Sequence, residues 1–93
     1  MPARPYALVT HTLTDSSDET SFGQFKGHFN ISLNGMSGDT VVLERTFDDE
    51  VTIGIVETYA ADAEDVHFEP ETGVKYRLRL SAGTGPVKAR MSQ

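Results

Sequence analysis

Carboxylates are the side chains clustered closely enough here to suggest chemistry. In TFDDEVTI, residues 46–53, Asp48, Asp49 and Glu50 stand in a row between two alternating apolar runs. Such a run suggests a cation site or an acid–base pair. A calcium loop wants several oxygen ligands at alternating positions and a glycine for the bend, and this run has neither. The pairs Asp18/Glu19, Glu64/Asp65 and Glu69/Glu71 all read as loop residues, whereas a glycosidase needs two carboxylates held across a groove. His11, His28 and His67 sit on separate runs, and the chain has no cysteine, so no zinc set is legible. No nucleophile elbow and no phosphate-binding loop is present either. The expectation is a non-enzymatic chain with no catalytic residues, no metal and no cofactor.

The acidic run has a simpler reading as a turn. Both flanks alternate, so a two- or three-residue hairpin connection at Asp48–Glu50 satisfies the pattern, with Asp bonding backbone amides two residues on. Thr46, Asp48 and Thr52 also match the Asp-box hairpin S-x-D-x-G-x-T-W, with Glu50 in place of its glycine and Ile53 in place of its tryptophan. That motif is a turn device, so the match implies structure.

The elements around it are strands. In FKGHFNISL, Phe25, Phe29, Ile31 and Leu33 share one parity, and Lys26, His28, Asn30 and Ser32 the other. TVVLERTF puts Val41, Leu43 and Phe47 on one face and Val42, Glu44 and Thr46 on the other. Arg45 falls on the apolar parity, so it snorkels to the rim or pairs with a carboxylate. VTIGIVETY sets Val51, Ile53 and Ile55 in phase, and a short strand is expected around Val66–Phe68. VKYRLRLSA sends Val74, Tyr76, Leu78 and Leu80 inward, Tyr76 with a hydroxyl that needs a partner. VKARM and YALVTHTL complete the set. No 11-residue window carries a 3.6-residue stripe. The class is all-β: an antiparallel β-sandwich, immunoglobulin-like or jelly-roll-like, of six to eight short strands. Residues 25–93 form the sandwich, and residues 1–24 an N-terminal strand and polar arm open to ordering by a partner.

Composition bounds the partners. At 93 residues with 38% apolar content, the chain holds one thin core, and a domain of this size buries only about 60–65% of its unfolded surface. The net charge is −6, which speaks against nucleic acid; no run approaches a membrane helix, and MPARPYALVT lacks the pattern of a secretory signal. Charge is uneven. Lys75, Arg77, Arg79, Lys88 and Arg90 follow Val74 with no acid among them, while acids gather at 15–19, 48–50 and 62–71. Lys75, Arg77 and Arg79 alternate outward as a basic stripe, which is either solvated surface or a contact face for a neighbour's acidic loop. With Asp15, Asp18 and Phe22 of the arm they are the candidate partner-interface residues. Lys and Arg on the last strands also suit protection of exposed sheet edges.

The order of segments carries a resemblance. FEPETGVKYRLRL is similar to the entry of the penultimate strand in immunoglobulin-like and fibronectin type III domains, with Phe68, Pro70 and Thr72 in register. More broadly, residues 25–93 resemble small proteins encoded among the structural genes of tailed bacteriophages. These read F-x-V-S-L-x-G, then G-T-V-x-L-x-R-S-F-D-G-G-x-T-W, then E-P-E-x-G-V-x-Y-R-L, and end near R-L-S-Q. Phe29, Ser32, Leu33, Gly35, Val41, Leu43, Arg45, Phe47 and Asp48 fit, as do Glu69, Pro70, Glu71, Gly73, Val74, Tyr76, Arg77, Leu78, Ser92 and Gln93. Asp49-Glu50 and Ile53 depart from the pattern at the hairpin. The resemblance implies a virion structural protein made in the host cytoplasm: a decoration (cement) protein on the head exterior, bound to the major capsid protein or other virion proteins, as a homo-oligomer with a trimer favoured. A tail or head-fibre accessory protein is the near alternative. An immunoglobulin-like adhesion or carbohydrate-binding module is the alternative from another class.

Overall fold

A computed structural model describes residues 8–48 and 50–93; residues 1–7 and Asp49 lie outside the described residues. The alternating runs form eight strands: β1 (Leu8–Leu13), β2 (Gly23–Gln24), β3 (Gly27–Asn34), β4 (Thr40–Thr46), β5 (Gly54–Tyr59), β6 (Ala63–Glu69), β7 (Lys75–Ala82) and β8 (Val87–Ser92). The antiparallel pairs β1·β8, β2·β7, β3·β6 and β4·β5 make one long two-stranded ribbon. The ribbon folds across itself, and β3·β8 and β4·β7 join its turns. Sheet I is then β1-β8-β3-β6 and sheet II is β2-β7-β4-β5. That order is the double-sheet jelly roll, which decides between the two sandwich types the alternation left open.

The ribbon folds this way because one of its faces is apolar. Phe29, Ile31 and Leu33 of β3 and Val87, Ala89 and Met91 of β8 meet Val41 and Leu43 of β4 and Tyr76, Leu78 and Leu80 of β7 in a single core. Phe25 stacks on Phe29 with ring centroids 4.6 Å apart, and Phe29 tilts against Tyr76 at 4.7 Å.

Residues 8–24 are woven into both sheets. β1 pairs with β8 along its whole length and puts Val9 and Leu13 into the core. The chain then crosses to sheet II and runs beside β7: the Ser17 amide donates to the Leu80 carbonyl (2.7 Å), and the Leu80 amide to the Asp18 carbonyl (2.8 Å). The Thr20 amide donates to the Leu78 carbonyl (2.9 Å), and the Leu78 amide donates to the buried Thr20 hydroxyl (3.1 Å). Gly23 is needed where this segment closes the sandwich, because a Cβ there would lie 2.5 Å from Val9 Cγ2 and 2.8 Å from the Phe25 ring.

Two strand readings change. The β4–β5 connection runs from Phe47 to Ile53, longer than a two- or three-residue turn, and Phe47 (61% exposed) and Val51 (81%) face solvent. The cause is side-chain bonding inside the loop. Asp48 Oδ1 accepts from the Thr52 amide (2.8 Å) and from the Thr46 hydroxyl (3.1 Å), while the Glu50 amide donates to Thr46 Oγ1 (3.0 Å). These bonds hold the Asp48 carboxyl below the ordinary range, the Thr52 amide foremost. Asp48 thus serves a turn, as the Thr46–Asp48–Thr52 match implies. Glu50, at the motif's glycine position, has φ +70°. Second, the acids at 64, 65 and 69 stand on a full strand, β6, and not in a loop.

Removal of residues 1–20 takes away β1, two core side chains and the Thr20 bonds, so cooperative thermal unfolding by circular dichroism is expected to disappear. Glu50→Gly is expected to raise the unfolding free energy obtained from chemical denaturation by up to about 1 kcal/mol. A left-handed residue with a Cβ costs roughly 1–2 kcal/mol, of which glycine's extra backbone entropy returns part. The exposed Glu50–Lys75 contact at 3.7 Å offsets little of that gain.

Candidate functional site: the outer faces of the two sheets

The basic stripe lies on the outer face of sheet II and is occupied by its own chain. Glu44 of β4, 5% exposed, sits between two cations: Arg77 Nε donates to its Oε1 at 2.7 Å and Arg79 Nε to its Oε2 at 3.1 Å. Arg77 also reaches Glu19 at 3.0 Å and stands over the Phe22 ring, 4.7 Å from its centroid. Lys75 contacts Glu50. Phe22, Arg77 and Arg79 therefore do come together, but as an internal network, with Lys75 paired to Glu50 on the same sheet's loop. A nearly buried carboxylate requires such partners, and removing either arginine leaves charge uncompensated. Asp18 and Asp15 belong to the crossing loop. The Asp18 carboxylate accepts from the Thr14 amide and the Glu19 amide, both at 3.0 Å, and lies 3.4 Å from His11. The Thr14 amide is the main cause of its lowered pKa. Asp15 is exposed, and its carbonyl accepts from the Asp18 amide at 2.9 Å.

One carboxylate is buried between the sheets. Glu69 (β6) receives Arg45 (β4) through Nε at 2.7 Å and Nη2 at 3.1 Å, the Tyr76 hydroxyl (β7) at 2.6 Å and the Glu71 amide at 3.0 Å. Arg45 on the apolar parity thus pairs with a carboxylate, and Tyr76 finds its partner. Chiefly through Arg45, the Glu69 carboxyl is pulled down to about 2; burial raises the Tyr76 hydroxyl and Glu69 raises the Arg45 guanidinium. Both carboxylate oxygens are saturated with donors, so the group works as a fixed anion. Among the described residues, no group of three His, Cys, Asp or Glu side chains could hold a metal ion.

The outer face of sheet I is different. Pairing sets its outward side chains in transverse rows. Thr12, Lys88 and Asn34 form one, and Thr10, Arg90, Ser32 and Glu64 the next. They line an open groove of about 520 Å³. Neither Lys88 nor Arg90 forms an ion pair with a described residue. Glu64 ends its row by accepting from the Ser32 hydroxyl at 3.0 Å. The following rows, Leu8–Ser92–Asn30–Val66 and His28–Phe68, turn apolar. Leu8, Val66 and Phe68 are 46%, 57% and 53% exposed, and Phe68 leans on His28 with centroids 4.8 Å apart.

This face went unread in the sequence because its parts come from four separated segments. The basic cluster after Val74 divides between β7 and β8, whose side chains leave opposite sides of the sandwich. Neither strand is an edge, so their cations do not protect sheet edges. Compared with family models, curated proteins and solved structures, the chain gives no match.

The Glu69 clasp makes stability pH-dependent. Its carboxyl is depressed in the folded state, so its contribution is fully present above the unfolded value near 4.5 and is lost as pH falls towards about 2. The shift corresponds to about 3 kcal/mol. Urea midpoints measured across this interval should fall steeply for the wild-type chain and much less for Glu69→Gln, which is also less stable at neutral pH.

Proposed function

We propose that this chain is a non-enzymatic virion structural protein, a decoration protein of the tailed-phage head that attaches through the outer face of sheet I. The observation that carries the reading is the contrast between the two outer faces. The basic stripe of sheet II is paired internally, whereas on sheet I Lys88 and Arg90 form no ion pair with a described residue and Leu8, Val66 and Phe68 are exposed on the same face. Soluble domains rarely leave apolar side chains grouped on one face without a contact to make. Many weakly held copies on a repetitive lattice can attach firmly, which suits a small domain and the trimeric arrangement the resemblance implies. The jelly-roll order adds fold-level analogy, since it recurs in capsid and lectin domains.

The lectin side of that analogy supports a second reading, a carbohydrate-binding module, because Phe68 offers an exposed ring beside the polar groove. Mass spectrometry and immunogold labelling of purified particles from the genome that encodes the chain separate the two. Regular copies on the head exterior are expected. Absence from particles that contain the other structural gene products overturns the proposal, and micromolar glycan-array binding alongside that absence establishes the module.

A further inference from the structure

Along β8, Lys88 and Arg90 stand two residues apart, about 6.7 Å, twice the rise of a strand residue. Each is flanked at paired positions by short neutral side chains: Thr12 and Asn34 beside Lys88, Thr10 and Ser32 beside Arg90. The side chains of Thr10, Thr12 and Asn34 make no hydrogen bond to described residues, so their donors and acceptors are open. We infer that this face binds an extended acidic peptide segment of a partner protein, with carboxylates at alternate positions on Lys88 and Arg90 and apolar side chains on Leu8, Val66 and Phe68. The inference rests on the reading of the chain as an attached structural protein and names the chemistry of the surface it attaches to.

Spacing is the first argument. An extended peptide carries its same-face side chains at the same two-residue interval as the rows beneath it, so both carboxylates meet cations in one register. The Thr10 and Thr12 hydroxyls and the Asn34 amide then donate to the remaining carboxylate lone pairs. Charge is the second, since neither cation forms an ion pair with a described residue. The apolar rows are the third, because they ask for bulky aliphatic or aromatic side chains that a polyanionic glycan lacks. A polyphosphate likewise has no apolar group to place on Leu8, Val66 and Phe68. A second copy of this chain is a poor donor of the acids. The Asp62 carboxylate already accepts from the Met36 amide (2.7 Å), Glu64 from Ser32 and Asp65 from the Tyr59 hydroxyl (2.8 Å).

The test is a nuclear magnetic resonance titration of the isotope-labelled full chain with the capped peptide Glu-Thr-Glu-Thr-Val-Thr-Phe and with its reversed sequence. Shift changes are expected on β1, β8, β3 and β6 for at least one of the two peptides, weakening as salt is raised. Lys88→Glu with Arg90→Glu should lower affinity by about tenfold or more, and Val66→Ser should lower it as well. Lys26→Glu, a charge reversal elsewhere on the surface, should leave it unchanged; unaltered melting midpoints show that each variant is folded. The inference is overturned by the absence of shifts with both peptides, or by equal affinity when the two carboxylates are adjacent. Stronger binding by a sulfated oligosaccharide, or light scattering that shows self-association abolished by the double reversal, assigns the face to a glycan or to a second copy and overturns it too. Peptide binding by a chain absent from particles defeats the structural-protein reading alone. Particle attachment that survives the double reversal defeats this inference alone.

Discussion

The fold depends on the carboxylate of Glu69, held between the sheets by Arg45 and Tyr76. Hydrophobic alternation alone would turn β6 the other way, with Val66 and Phe68 in the core and Asp65, His67 and Glu69 in water. The structure buries Glu69 and half-buries His67 instead, and leaves Asp65 exposed. Glu69 is 1% exposed while Phe68 is 53% exposed, and because the side-chain period of a strand is two, a one-residue slip would exchange the faces. A buried charge is tolerated only with full pairing, and Glu69 has it from two strands of the opposite sheet. The clasp therefore selects the register of β6. Tyr59 and Asp65 repeat the arrangement farther along, hydroxyl to carboxylate at 2.8 Å. His67 fills the remaining space, its ring 5.6 Å from Phe29 and 5.3 Å from Tyr76.

That register has a consequence on the far side of the sheet. With Glu69 and His67 of β6 turned inward, Val66 and Phe68 must face out, Phe68 beside His28 of β3, on the same face as Leu8 at the opposite edge of the sheet. The apolar half of the outer face of sheet I is thus a by-product of the polar clasp inside. A buried ion pair is weak evidence for stability, since apolar residues of similar shape often serve as well. Here its clearer effect is specificity of arrangement: it decides which side chains the domain shows to a partner.

Some of this was legible in the sequence. β3, β7 and β8 alternate strictly, so their inward sets are plain. Arg45 on an apolar parity announced a carboxylate partner or a snorkelling stem, and Tyr76 announced a hydrogen bond. What stayed hidden depends on pairing. Glu44 lies 33 residues from Arg77 and 35 from Arg79, so nothing local reveals that the basic stripe is already neutralised. The β4–β5 loop is set by three side-chain bonds that override the period-2 pattern of Val51 and Ile53. β6 misleads outright, because its apolar residues are the exposed ones. Residues 1–24 read as a strand and a polar arm because nothing local in the turn-rich stretch after Leu13 reveals its bonds to β7.

The position of the cations within the sheets finally separates the two explanations of surface charge. Charges that guard against edge pairing belong on edge strands, and the edges here are β1 and β6 in sheet I and β2 and β5 in sheet II. β7 and β8 are interior. The arginines of β7 have an internal reason to be there: Glu44 and Glu19 need them. Lys88 and Arg90 show none, for they neither guard an edge nor pair with a described residue, and they stand in register with Thr10, Thr12 and Asn34, whose side chains make no hydrogen bond to described residues. Among the described residues neither cation has an ionic partner, and the attachment proposed for this face gives that pair a physical rationale.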